Sequence, residues 1–270
     1  MDLIIKAIIL GIVEGVTEFL PISSTGHLIL FGHFLGFTGK FATMFEIIIQ
    51  LGAILAVVYF YRSKIWSSLQ NLKPGAWGFK LWFWIIIAFL PSAILGFTTN
   101  DYIEQYFFSP LTVSIALVVG AFLILIVEQI FAKRNKCDDM MQMTTKKSLI
   151  VGLGQCMALI PGMSRSASTI MGGMFAGFSI KAAAEFSFFL AIPTMFAATG
   201  FSLLKGFAAM TMNEWVALAV GFVVSFIVAL LVIGKFLAFL GKHSLKVFAY
   251  YRLVVGIIML ILISQNIIKF

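Results

Sequence analysis

Long apolar runs dominate this chain, and short polar segments separate them. A helix needs roughly 20 residues to cross a hydrocarbon core of about 30 Å, and six runs approach or exceed that length. The predicted spans cover approximately residues 43–61, 81–98, 110–131, 181–204, 214–234 and 248–268. The pattern therefore predicts an all-α polytopic membrane protein, with residues 1–270 forming a single integral membrane domain.

Two further apolar regions, approximately 3–36 and 148–177, are interrupted near their middles. The first contains "LPISSTG" and the second "IPGMSRSAS", so a proline and several hydroxyl residues stand where a span would continue. Each half is too short to span comfortably. The pattern predicts two re-entrant helical hairpins, because non-helical backbone lies at membrane depth only where protein or water satisfies its polar groups.

The two interrupted regions also indicate a weak internal repeat. Pro21 and Ser24 correspond to Pro161 and Ser164, and "FLGF" after the first break resembles "FAGF" after the second. The predicted copies cover approximately residues 3–131 and 148–268. Two copies with opposite topology are the design of many transporters, whose working site lies where the broken helices meet.

Loop charge predicts the orientation. Loops 62–80, 132–147 and 235–247 contain 4, 5 and 3 Lys or Arg residues, whereas 99–109 contains none and 205–213 only one. By the positive-inside rule the first three loops are cytoplasmic, and six spans then place both termini outside. The first hairpin is expected to enter from outside and the second from the cytoplasm.

Composition narrows the class of protein further. The chain is 61% hydrophobic and 11% charged, where a soluble domain carries about 25% charged residues, so a water-soluble globule is excluded. The formal net charge of +8 does not indicate nucleic acid, because the basic residues lie mostly in short loops, as topology signals do. Cys137 and Cys156 are isolated, which indicates neither a disulfide framework nor zinc.

The first break carries a candidate acidic site. Glu14 and Glu18 lie on one face of a helix, and carboxylates at membrane depth indicate function by default. Two neighbouring carboxylates suit either a divalent cation or a shared proton. The structural alternatives are a simple ion pair with Arg165 or exposure to water near the outer surface.

The hydroxyl residues Ser23, Ser24 and Thr25 follow this acidic pair and begin the second half-helix. A hydroxyl there is an ordinary N-cap, but a helix start is also an anion site. His27 lies three residues after Ser24, close enough to accept its proton if both lie on the first turn.

The second break, "PGMSRSAST", places Arg165 between Ser164 and Ser166. The planar fork of arginine suits phosphate oxygens, and a structural pairing with the acidic residues is the alternative. Together the two breaks predict a site for an anionic phosphate group, with a divalent metal bridging it to the carboxylates.

Other polar residues lie within the predicted spans. Glu46 and Gln50 share a helix face and are expected to line the same cavity or to support it by hydrogen bonds. Glu128 and Arg252 are expected near membrane ends, where long side chains reach the interface.

The quoted motifs resemble those of a known family. "EGVTEFLPISSTGH" and "PGMSRSAST", followed by "FEIIIQLGAILAV" and "EFSFFLAIPTM", are similar to the bacterial undecaprenyl-diphosphatase family, also called the bacitracin-resistance proteins. The resemblance runs from about residue 3 to the C-terminus. It implies hydrolysis of undecaprenyl diphosphate to the monophosphate carrier used in cell-wall synthesis, in the bacterial plasma (inner) membrane. It also implies a homodimer and Mg²⁺ or Ca²⁺. Loop charge alone predicts that the site opens to the outer (periplasmic) face.

The resemblance also implies residue roles. Glu14 and Glu18 would bind metal or handle protons, Ser24 would be the nucleophile with His27 as its base or as a later proton donor, and Arg165 would hold the diphosphate. Direct attack by water or by His27 stays open. The expected substrate-binding residues are Ser23, Thr25, Gln50, Gly162, Ser164 and Ser166.

Two other functions fit the pattern. A transporter or flippase of an isoprenoid phosphate or another small anion would share the inverted repeat. A lipid-binding scaffold is disfavoured, because it would gain nothing from so many ionisable groups at membrane depth.

Overall fold

A computed structural model describes residues 2–131, 137–205 and 210–268. Over these residues the chain forms eleven α-helices and no β-strand. The helices are α1 (Leu3–Thr17), α2 (Ser24–Leu35), α3 (Lys40–Phe60), α4 (Arg62–Gln70), α5 (Trp77–Phe107), α6 (Pro110–Phe131), α7 (Thr145–Gln155), α8 (Arg165–Phe175), α9 (Ile180–Lys205), α10 (Met212–Leu240) and α11 (Lys246–Ser264). Parts of two predicted loops, 132–136 and 206–209, lie outside the described residues.

Six of these helices are long and apolar enough to cross a membrane: α3, α5, α6, α9, α10 and α11. The all-α polytopic class and the six predicted spans are thereby confirmed. The largest difference in length is α5, which has 31 residues and continues well beyond the expected end at residue 98. Thr98 and Thr99 do not stop it, because both hydroxyls donate to carbonyl oxygens of the preceding turn, at Ile94 and Leu95.

Both predicted interruptions are present. Helix α1 ends before the first break and α2 follows it, while α7 and a short 3₁₀ turn precede the second break and α8 follows it. Ser23 and Ser164 are the N-caps of α2 and α8, with φ of 69° and 72°, and their hydroxyls accept N–H groups of the first turn. Each half-helix therefore begins at a sharp turn in the backbone.

The N-caps show that the two breaks correspond differently from the sequence comparison, which paired Ser24 with Ser164. Ser23 matches Ser164, so Ser24 and Arg165 occupy equivalent first positions of α2 and α8. The second break has one more residue between its proline and its cap, and it contains Gly162 at φ +96°. The inverted repeat and its boundaries stay predictions.

Close helix contacts fix the first hairpin in place. Gly11 and Gly15 of α1 face α10, where an added Cβ would lie 2.7 Å from the carbonyl oxygen of Gly221 or Ser225. Only glycine permits this approach of α1 to a long apolar helix. The second half-helix is enclosed differently, because residues 166–174 of α8 are all buried between α7 and α9.

Candidate functional site

The two breaks meet at the carboxylate of Glu18. Its Oε2 accepts the hydroxyl proton of Ser24 at 2.7 Å, and its Oε1 lies 3.0 Å from Nη2 of Arg165. The side chains of Arg165 and Glu18 are 9% and 5% exposed, so this ion pair is almost withdrawn from solvent. One carboxylate therefore joins the expected nucleophile to the expected phosphate ligand.

A second contact ties the breaks together through hydroxyl groups. Ser166 Oγ donates to the carbonyl oxygen of Leu20 at 2.8 Å, and Ser164 Oγ lies 3.0 Å from Ser166 Oγ. Since the Ser166 proton is already donated, Ser164 is the donor between the two hydroxyls. Both expected substrate-binding serines therefore lie where the two breaks meet. The Ser166 proton bonds across to the first break, and the Ser164 proton bonds within the second.

Arg165 keeps an unused donor. Its Nη1 donates to the carbonyl oxygen of Ser187 at 3.2 Å, and Nη2 binds Glu18. Nε is buried and has no hydrogen-bond partner in the described part of the chain. Ser187 lies on α9, and its hydroxyl lies 2.6 Å from that of Thr169 on α8. Contacts with α9 therefore hold the arginine side chain in place. The guanidinium can thus hold Glu18 and still offer an N–H to an anion.

Glu14 lies one turn before Glu18 on α1 and is 0% exposed. Neither of its carboxylate oxygens has a hydrogen-bond partner among the described residues. A buried, unpartnered carboxylate requires a proton or a cation. The unpartnered carboxylate of Glu14 lies next to a second carboxylate. The pair therefore suits a divalent cation that takes its remaining ligands from phosphate oxygens and water. Over the described ranges no group of three or more His, Cys, Asp or Glu residues could hold a metal alone.

His27 does not contact Ser24 in the way the sequence predicted. Its Nδ1 lies 2.7 Å from the carbonyl oxygen of Ser23, and its Nε2 lies 2.8 Å from the hydroxyl of Tyr251. A carbonyl only accepts, so Nδ1 carries the proton and Tyr251 donates to Nε2. The expected Ser24–His27 hydrogen bond is therefore wrong, because the Ser24 hydroxyl points to Glu18 and both ring nitrogens are engaged elsewhere.

The remaining predicted residues contribute less directly. Ser23 caps α2, and Thr25 and Gln50 are half-buried without an assigned hydrogen bond to the residues around Glu18 in the described structure. Gly162 supports the backbone of the second break, where an added Cβ would lie 2.5 Å from the carbonyl oxygen of Val113.

The expectation that Arg252 reaches the membrane interface is wrong, because Arg252 is 0% exposed and donates to backbone carbonyls of both breaks. Glu128 lies in the last turn of α6, as expected for a residue near a membrane end, but its side chain is buried. A signal was available for Arg252, since a cation within a predicted span is by default a functional or structural centre. Tyr251 and Ser187 carried no comparable signal, because an aromatic or small hydroxyl residue in a membrane helix is common.

The fold and this junction define an α-helical polytopic membrane protein with a buried charged site where two interrupted helices meet. The family model described as "Bacitracin resistance protein BacA" matches residues 7–258. The chain belongs to this family, and the resemblance seen in its motifs is confirmed.

Relatives named undecaprenyl-diphosphatase match the chain over nearly its full length. The protein of Thermoanaerobacter sp. (strain X514) is 66% identical over 269 residues, covering 100% of both chains. That of Clostridium tetani (strain Massachusetts / E88) is 52% identical over 263 residues, covering 97% of both. That of Acinetobacter baumannii (strain SDF) is 51% identical over 259 residues, covering 96% of this chain and 95% of its own.

Proposed function

We propose that this protein hydrolyses undecaprenyl diphosphate to undecaprenyl phosphate and inorganic phosphate, which recycles the lipid carrier for cell-wall synthesis and confers bacitracin resistance. The family and the names of full-length relatives at 51–66% identity support this activity. One structural observation carries the residue-level account: Glu18 binds Ser24 and Arg165 at the same time.

The reaction is an in-line displacement at the terminal phosphorus. Ser24 Oγ attacks this phosphorus while its proton passes to Glu18, and the bond from phosphorus to the bridging oxygen breaks to release undecaprenyl phosphate. Water then attacks the phosphoserine, and the Oγ–phosphorus bond breaks. Glu18 returns its proton to Ser24, and the proton lost by water leaves with inorganic phosphate.

The rest of the site stabilises the charge that the displacement spreads over the phosphate oxygens. Arg165 donates from Nε, which has no other partner among the described residues, and the start of α2 adds the positive end of its helix dipole. A divalent cation held by Glu14 and Glu18 would neutralise further oxygens of the diphosphate. Burial strengthens each of these interactions, because water competes weakly there.

Identification of a trapped phosphoenzyme distinguishes Ser24 from the other nucleophiles. Rapid quenching followed by mass spectrometry is expected to find phosphate on Ser24. Phosphohistidine at residue 27 would remove Ser24 from this role, and the absence of any phosphoenzyme under conditions that trap one in related phosphatases would favour direct attack by water.

Phosphate release by purified protein in detergent tests the overall activity. Without a closed membrane there is no gradient, so a transporter or flippase would release no phosphate. The proposed enzyme should release one phosphate for each lipid diphosphate consumed.

The placement of the protein is also part of the proposal. We infer a bacterial plasma membrane location with both termini outside and the site open to the periplasmic face, supported by the basic loops 62–80 and 235–247. Labelling of a terminal cysteine by an impermeant maleimide in intact cells tests the orientation. A homodimer rests on the family resemblance alone, and the mass of the protein in nanodiscs tests it.

A further inference from the structure

The most completely bonded cation of the described chain lies outside the residues that the reaction uses. Arg252 of α11 is fully buried, and each of its five guanidinium N–H groups donates to a main-chain carbonyl. The acceptors are Pro21 (3.3 Å), Gly162 (3.0 Å), Met163 (3.0 Å), Ala116 (3.0 Å) and Leu117 (3.2 Å). With every donor used, this guanidinium has none left for a phosphate group.

The acceptors come from both breaks at once. Pro21 precedes Ser24 by three residues, and Met163 precedes Arg165 by two. Carbonyls in a break have no partner one turn ahead, so at membrane depth another donor must satisfy them. A single side chain does this for both breaks, which ties the backbone before one half-helix to the backbone before the other.

Helix α6 leaves room for this side chain at one position. A Cβ added to Gly120 would overlap Nη2 of Arg252 and lie 2.9 Å from its Cζ. The guanidinium therefore passes across α6 at a residue without a side chain. The Cβ of an alanine is fixed to the backbone of α6, whereas the guanidinium is the end of a long side chain. An alanine at residue 120 therefore displaces the guanidinium.

We propose that Arg252 is a positioning residue that sets the distance between the two half-helix starts, and that Gly120 is the residue that admits it. This inference rests on the proposed function, because the distance it controls is the one at which Ser24 and Arg165 share Glu18. Arg252 acts through the backbone and does not touch the substrate.

The test compares kcat and KM for four variants. Gly120→Ala should lower kcat by about tenfold or more, since displacement of a reacting group by about 1 Å can cost about a hundredfold. KM should change less than kcat. Arg252→Lys should retain part of the activity, because three donors remain. The matched control is Gly200→Ala, a helical glycine with nothing within 4 Å of an added Cβ, which should behave as wild type.

A double variant gives the sharpest result. Lysine is slimmer than arginine at its head, so Gly120→Ala should cost little once Arg252→Lys is present. The double variant should then be no less active than Arg252→Lys alone. Losses that multiply would overturn the proposal, because they would mean that the two positions act independently. Arg252→Ala leaves five carbonyls without a donor, so its failure to fold would agree with the proposal but is not needed for the test.

A readout independent of catalysis separates this inference from the proposed function. In a chain with Cys137 and Cys156 replaced by serine, Met163→Cys places a thiol in the second break at a buried position. Gly120→Ala should raise the rate at which maleimide labels this thiol by about tenfold, because the displaced guanidinium no longer holds the backbone of the second break. Gly200→Ala should not change that rate. Unchanged labelling, or faster labelling with unchanged kcat, would overturn the positioning role. If the wild-type protein releases no phosphate while the Met163→Cys chains show this labelling pattern, the proposed function is contradicted and the positioning role is not.

Discussion

Glu18 and Arg165 are 147 residues apart in sequence and form an ion pair of 3.0 Å in the structure. Glu18 precedes Ser23, the N-cap of α2, by five residues, and Arg165 is the first residue of α8. Ser24 completes the group by donating to the second oxygen of Glu18. The two breaks are therefore parts of one site.

Replacement of Arg165 by alanine should abolish hydrolysis. The change removes the donor Nε and leaves the Glu18 carboxylate buried without its cation, which costs about 3–5 kcal/mol of stability for a buried pair. We expect kcat to fall by about 10²- to 10³-fold, the scale seen when one preorganised donor is lost. Steady-state phosphate release measures it.

Two further variants control the Arg165 experiment. Arg62→Ala removes an exposed arginine on α4 and should leave hydrolysis unchanged. Arg165→Lys keeps the charge but not the fork, and should recover folding more than activity. Full activity in Arg165→Ala would contradict the assignment of the phosphate ligand.

Replacement of Ser24 by alanine tests the nucleophile. If Ser24 attacks, kcat should fall by about 10³-fold or more, whereas direct attack by water predicts a loss below about tenfold. Ser67→Ala removes an exposed hydroxyl on α4, outside the expected site, and provides the matched control. Single-turnover kinetics separates this effect from substrate binding.

The acidic pair should divide its roles between two variants. Glu14→Gln should shift the Mg²⁺ or Ca²⁺ titration to higher concentration, because its unpartnered oxygens are the freer ligands. Glu18→Gln should shift the metal titration as well, and should also lower kcat at saturating metal, since it removes the proton acceptor of Ser24. Removal of metal by EDTA should abolish activity reversibly. Metal titrations that are unchanged in both variants would assign the pair to proton transfer alone.

The hydroxyl of Tyr251 should matter little to the reaction. Tyr251→Phe removes the donor to Nε2 of His27 but keeps the ring, which stacks on the imidazole with planes 2° apart. We expect kcat to change by less than about tenfold, the scale of one neutral hydrogen bond. A loss above about a hundredfold would instead place this hydroxyl and His27 in the proton-transfer path.

Gly162 should be intolerant of any side chain for two separable reasons. Its φ of +96° costs an alanine about 1–2 kcal/mol, and its Cβ would also clash with the carbonyl oxygen of Val113. Gly177 has φ +92° and open space around it, so Gly177→Ala isolates the first cost. Gly162→Ala should lower the thermal midpoint distinctly more than Gly177→Ala. Equal midpoints would contradict the close approach to α6.

Hydropathy was sufficient to find the spans and the breaks, because a bilayer imposes length and apolarity on each helix directly. The polar residues of the breaks also placed Ser24 and Arg165 at the starts of the two half-helices. The pairing of Ser24 with Glu18 could not be predicted, since it depends on the turn that Ser23 makes at φ 69°. Arg252 was misplaced for a similar reason: position along a helix does not reveal which backbone carbonyls, on other elements, lie within its reach.

An experimental structure with a non-hydrolysable diphosphate analogue tests the central claim most directly, by the position of the terminal phosphate. We expect this phosphate between the two breaks, with an oxygen within about 3 Å of the Arg165 guanidinium and the phosphorus facing Ser24 Oγ. A well-ordered analogue bound elsewhere, with Ser24, Glu18 and Arg165 still joined to one another and closed to it, would contradict the account.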